Sequence, residues 1–275
     1  MSKNDWRSEF DILEKEGFYA VEASLLDVAE DPTLFFELLR KHGLHWICGL
    51  YTSWDDYVGP WKQLSIESHF ANFKSQLDRI SKMDLQPVHV NCHSGSDSFT
   101  LQESLDFFGK VDGYWNSQSA KSFTLSHETH RGRILYSPWV ALEVVRAFPG
   151  IKFTLDISHW NVVAERHLEE HILRPILERV SHIHARIGTP QQSQVADPVD
   201  PDVQSSREAC ETIWKRCCDL QRARGEIPTI TPEYGPAIDG YMPLIVWSED
   251  GSKAAVRTLK DIISAEAKRL NVVLS

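Results

Sequence analysis

Three short β-prone runs in this chain end in metal-capable side chains at a fixed interval. Residues 123–130 carry Glu128, residues 151–159 carry Asp156, and residues 180–186 carry His184. Glu128 and Asp156 are 28 residues apart, and Asp156 and His184 are 28 apart again. One β/α unit of an eight-unit barrel has about that length, since eight units fill roughly 250 residues. A fourth, weaker run at residues 229–235 carries Glu233. Strands that repeat at this spacing, each ending in a carboxylate or an imidazole, constrain the chain to a succession of β/α units.

The rest of the chain fits that succession. Further strands are expected at residues 18–23, 45–51 and 88–93. Helices are expected at 5–17, 32–42, 66–83, 101–119, 138–148, 162–179, 207–224 and 252–270. Pro32 suits the first turn of its helix, and Gly43 suits its end. Phe70, Phe73, Leu77 and Ile80 recur at helical spacing in the third. Strict β and α alternation argues for a parallel sheet with helices outside it, in one domain over residues 1–275. The fold class is therefore α/β, a TIM (β/α)8-type barrel. Seven strands are visible and the chain opens on a helix. The barrel is expected to lack or distort its first strand, or to draw a poor one from residues 1–6. The 19-residue, largely polar stretch from Gly188 to Ser206 exceeds the usual β/α loop of about 2–6 residues, which suggests a lid or binding loop.

Composition narrows the function. Apolar residues make up 42% of the chain, enough for a substantial core. The formal net charge is −10, from 29 basic and 39 acidic residues, which argues against a nucleic-acid partner. Five cysteines without a CxxC pair fit reduced thiols in a cytosolic protein. Residues 1–6 have no apolar core of a signal peptide, and no apolar run nears the roughly 20 residues of a membrane span. A cytoplasmic location and no membrane partner are the expectations.

Side chains at the C-terminal ends of barrel strands converge on one mouth. Glu128, Asp156, His184 and Glu233 are placed there on four consecutive strands. Three carboxylates and an imidazole suit a hard divalent cation, and crowded carboxylates are costly without one. Period-2 alternation puts His182 and His184 on one face of their strand. His127, Glu128 and His130 do not have the HExxH spacing of a zincin. His93 and Glu22 end their own strands and could line the pocket. Arg131 and Arg133 could meet an anionic substrate. Trp160, beside His159, is placed to stack on a substrate.

The order Glu128, Asp156-Ile157-Ser158-His159, His182-Ile183-His184 and Pro232-Glu233 resembles the xylose isomerase-like TIM-barrel superfamily. That group holds sugar isomerases and 3-epimerases, inosose dehydratases and AP endonucleases of the endonuclease IV type. The resemblance implies Glu128, Asp156, His184 and Glu233 as metal ligands. Mn²⁺ is the first choice of ion, with Mg²⁺, Co²⁺ or Zn²⁺ as alternatives. His159 and Arg186 would reach substrate oxygens. The implied activity is that of a divalent-metal-dependent isomerase or epimerase of a sugar or sugar derivative, through α-proton removal and a metal-stabilised enediolate, with Glu128 and Glu233 moving the proton. A dehydratase or lyase acting on a keto-sugar or keto-glycoside would share that step. An endonuclease IV-like phosphodiesterase, or a non-catalytic binding barrel, fits less well. The endonuclease type needs further His and Asp ligands, and Ala185-Arg186 follow His184 without them. Relatives of this type are often oligomers, so a homo-oligomer acting on a small carbohydrate is the implied form.

Overall fold

A computed structural model describes residues 6–53, 63–118, 122–235 and 259–274. Residues 1–5 and the start of the helix expected at 252–270 lie outside the described residues. Among the described residues, seven strands join one sheet in chain order. That order, with helices between successive strands, is the β/α succession of a TIM-type barrel. The chain falls into two compact units.

The first unit is Met1–Glu128 with Gly132–Ile134 and Arg146–Lys152. It holds α1 (Trp6–Lys15), β1 (Ala20–Ser24), α2 (Leu25–Glu30), α3 (Pro32–His42) and β2 (His45–Tyr51). It continues through α4 (Ile66–Ile80), β3 (His89–His93), α5 (Leu101–Ser117) and β4 (Thr124–Glu128). Strands β1 to β4 pair in parallel, with Gly49 beside both Ser24 and Asn91. The opening helix is held by aromatic edges. Trp6 and Phe10 meet Phe35 of α3 at 5.6 and 5.9 Å, and Phe35 meets Trp46 of β2 at 5.8 Å.

Helix α2 was not expected. Ser24 ends β1 and caps α2 at once, through a box in which Ser24 and Asp27 satisfy each other's backbone amides. The strand-to-helix change takes no loop residue, so strand patterning hid it.

The second unit is Thr129–Arg131, Leu135–Val145 and Phe153–Ser275. It holds most of α6 (Pro138–Ala147), then β5 (Phe153–Leu155), α7 (Ile157–Ala164), α8 (Glu170–Leu177) and β6 (Val180–Ala185). A 3₁₀ turn (Pro201–Val203), α9 (Gln204–Ala223), β7 (Ile230–Pro232) and α10 (Leu259–Val273) follow. β5, β6 and β7 pair in parallel, with a register shift between Phe153 and Thr154.

The single helix expected over residues 162–179 is corrected to two. Asp156 is the N-cap of α7 and accepts from Ser158 N, so the helix starts five residues early. It stops at Glu165, whose φ of +51° is left-handed without a glycine to signal it. The polar stretch from 188 to 206 is folded onto its unit. Thr189 N donates to Gln192 O, and Val195 N donates to Ile187 O. The buried Gln194 carboxamide bonds both backbone groups of Gly235, at 3.0 and 2.8 Å.

Candidate functional site

In the first unit, the C-terminal ends of β3 and β4 carry a buried polar group. Glu128 is 1% exposed. Its Oε2 accepts from Asn91 Nδ2 at 2.6 Å and lies 2.7 Å from His93 Nε2. Asn91 Nδ2 also reaches Glu22 Oε1, at 3.5 Å. The His93 ring stacks on Tyr51 of β2, with centroids 4.4 Å apart. Asn91 and His93 alternate with Cys92 along β3, so the pleat brings both to the face where Glu128 ends β4. Asn91 thus links Glu22 and Glu128, and His93 meets Glu128, within this unit.

The neighbouring basic groups have other work. Arg133 is fully buried and donates to Ser53 O at 2.8 Å and Gly95 O at 3.3 Å. That corrects the idea of Arg133 as an anion contact, because its guanidinium ties two loops together. His127 points to the other side of β4, where Nδ1 is 2.7 Å from Ser94 Oγ and Phe108 meets its ring edge-on. Burial pushes its pKa down to about 3, so it stays neutral.

In the second unit, the ends of β5, β6 and β7 carry a denser group. Arg186, 2% exposed, stands between two carboxylates. Its Nε lies 3.4 Å from Asp156 Oδ2, and its Nη2 donates to Glu233 Oε1. His184 Nδ1 lies 2.8 Å from Glu233 Oε2. His159 Nε2 lies 3.5 Å from Asp156 Oδ2, and the His159 ring packs 3.9 Å from that of His130. The unit therefore brings together Asp156, His159, His184, Arg186 and Glu233.

The two histidines of β6 separate by partner. His182 places its ring nitrogens 2.8 and 3.0 Å from the hydroxyls of Thr229 and Thr231 on or beside β7. His184 faces the Glu233 carboxylate instead. Trp160 is fully buried and its indole N–H donates to Leu135 O at 2.8 Å, which makes it part of the core rather than an open stacking platform. Tyr234 is buried against Ile262 and Ile263.

Sequence reasoning missed Asn91, Thr129 and Ser158. Thr129 Oγ1 accepts from Asp156 N and donates to Asp156 O, both at 2.9 Å. Ser158 donates to Asp156 Oδ1 from its N at 2.9 Å and its Oγ at 2.6 Å. An Asp followed two residues later by Ser is an N-cap signal, and it was available in the sequence.

Solved structures supply the comparison that geometry invites. A D-allulose 3-epimerase from Methylomonas sp. is similar at a TM-score of 0.62 and 13% identity, over 98% of this chain and 91% of that one. The fold is that of a xylose isomerase-like TIM barrel. A probable 3-DHS dehydratase, AsbF, from Bacillus anthracis gives 0.56 and 12%, over 98% and 94%. A xylose isomerase-like TIM barrel protein from Mycobacterium smegmatis, in complex with magnesium, gives 0.55 and 11%, over 98% and 88%. Other structures of this fold that match include a D-psicose 3-epimerase and an AP endonuclease of family 2. No family model and no curated protein sequence matches the chain.

Proposed function

We propose that this protein is a divalent-metal-dependent isomerase or epimerase of a sugar or sugar derivative. The observation that carries the reading is the group at the ends of β5, β6 and β7. There Asp156 and Glu233 share Arg186, and His184 meets Glu233. The sugar epimerases among the structures of this fold support the same reading.

The donor types fit a hard divalent ion. Glu128, Asp156, His184 and Glu233 would hold it, and the first three are nearly or fully buried. Burying a carboxylate costs several kcal/mol, which a bound cation offsets. Mn²⁺ is the first choice, with Mg²⁺, Co²⁺ or Zn²⁺ as alternatives. When bound, such an ion polarises a substrate carbonyl and acidifies the adjacent C–H.

The chain's own groups then divide the work. Glu128 and Glu233 are the proton-moving pair: one takes the α-proton on a carboxylate oxygen and the other returns it. Asn91 and His93 hold Glu128 Oε2, which fixes the direction of its other oxygen. His159 and Arg186 orient substrate hydroxyls and balance developing negative charge. His93 and Glu22 would line the pocket from β3 and β1. Loss of a leaving group after the same proton removal would make the enzyme a lyase.

The test is proton exchange. Metal-loaded protein is incubated in deuterium oxide with ketoses, inosose and 3-keto-glycosides, and the products are followed by NMR. Deuterated isomers support the epimerase reading, while an unsaturated product moves the assignment to the lyase. Glu128→Gln and Glu233→Gln should each slow exchange by at least roughly 100-fold, in line with general acid–base contributions. Exchange at the wild-type rate in both variants refutes the proton-moving roles.

A further inference from the structure

We infer that Ser158 and Thr129 are positioning residues for Asp156, which occupy one carboxylate oxygen and present the other. The inference deepens the proposed metal site and rests on it. An aspartate carboxylate can turn about its last bond and exchange its two oxygens. Here Oδ1 accepts twice from one residue, from Ser158 N at 2.9 Å and from Ser158 Oγ at 2.6 Å. The opposite oxygen, Oδ2, faces Arg186 Nε at 3.4 Å and His159 Nε2 at 3.5 Å. Asp156 thereby turns Oδ1 to Ser158 and Oδ2 to Arg186 and His159.

The backbone beneath the carboxylate is pinned as well. The Thr129 hydroxyl accepts from Asp156 N and donates to Asp156 O, so it uses both its capacities on one residue. Gly188 approaches Ser158 closely. A Cβ at Gly188 would lie 2.8 Å from Ser158 Cβ and 2.9 Å from Ser193 O. The loop after β6 therefore closes on Ser158 only because residue 188 has no side chain. An ordinary helix cap accounts for the Ser158 N–H bond. It accounts for neither the hydroxyl bond to the same oxygen nor the Thr129 pair.

Mn²⁺ titration by calorimetry on the full chain tests this, with the wild type beside Ser158→Ala, Thr129→Val and Thr129→Ser. Residues that orient a metal ligand typically contribute 10- to 100-fold in affinity. Ser158→Ala and Thr129→Val should weaken Mn²⁺ binding by roughly that factor. Thr129→Ser keeps the hydroxyl and should stay within roughly threefold of the wild type, a rescue that a packing role alone would not give. Melting temperatures of the chelated proteins separate affinity from folding. Should Ser158→Ala fold poorly, the two Thr129 variants decide. Wild-type affinity in Thr129→Val overturns the inference, and so does equal weakening in Thr129→Ser and Thr129→Val. A wild type that binds no Mn²⁺ refutes the metal reading itself and takes this inference with it.

Discussion

Gly95 sits where the β3 loop turns, at φ +60°, and a Cβ there would lie 2.4 Å from Ile134 Cδ1. Its amide donates to Thr52 Oγ1 at 2.8 Å and its carbonyl accepts from Arg133. Gly95→Ala combines a left-handed alanine, about 1–2 kcal/mol, with overpacking, about 1–3 kcal/mol. Urea unfolding should show a loss of about 2–5 kcal/mol, and a loss below about 1 would mean that the loop shifts freely. The cysteines make a second prediction at this scale. All five are buried, and desolvation pushes Cys92 and Cys210 up to about 12 from an ordinary 9.0. Native protein at pH 8 should react slowly with a disulfide reagent, then release five thiols on unfolding. The folded state keeps protons that the unfolded state loses above about pH 9. This contribution to stability is therefore full below pH 9 and falls as pH rises toward 12, by about 1.4 kcal/mol per pH unit for each withheld proton. A flat stability profile over that range would contradict the buried, neutral thiols.

At the scale of elements, Gln194 ties the long loop after β6 to the segment after β7. Gln194 makes two hydrogen bonds to Gly235, and truncation leaves both backbone groups to find other partners. Gln194→Ala should lower stability by about 1–3 kcal/mol and speed protease cleavage within residues 188–200. Unchanged cleavage would show that the turn at Thr189–Gln192 holds the loop without it. What sequence revealed divides along the same line between local and distant partners. Strand ends were legible because an apolar run closing on Glu128, Asp156 or His184 is a local pattern, repeated at one spacing. Helix α2 and the early start of α7 were also local, in the Ser24–Asp27 box and the Asp156–Ser158 cap, but each cap sits directly against the strand before it: the strand expected at 18–23 stops just short of the first, and the run at 151–159 runs through the second. Asn91 and Thr129 were not legible in that sense. Each looks like a polar interruption until Glu128, 37 residues on from Asn91, and Asp156, 27 on from Thr129, are folded against them. Arg133 and Trp160 misled for the opposite reason, since polar or aromatic groups near a site can serve only the backbone around it.

For the whole molecule, an acidic chain of net charge −10 gathers buried carboxylates at its strand ends, and that charge must be balanced for the fold to persist. A ligand that binds only the folded state adds RT ln(1 + [L]/Kd), about 2.7 kcal/mol at 100 times Kd. For a chain of 275 residues this corresponds to a rise in melting temperature of roughly 5–10 °C. Chelator-stripped protein should therefore melt lower than protein returned to Mn²⁺, and Mg²⁺ or Co²⁺ should restore part or all of the difference. The gain should vanish in Asp156→Asn and Glu128→Gln, whose amides keep the size of the carboxylate but not its charge. If those variants gain as much from Mn²⁺ as the wild type, the ion is binding elsewhere on the acidic surface and the ligand set is wrong. If stripping and restoring metal leaves the wild-type melting temperature fixed, then Arg186 and the histidines alone balance the carboxylates, and the reaction has to be sought without an ion.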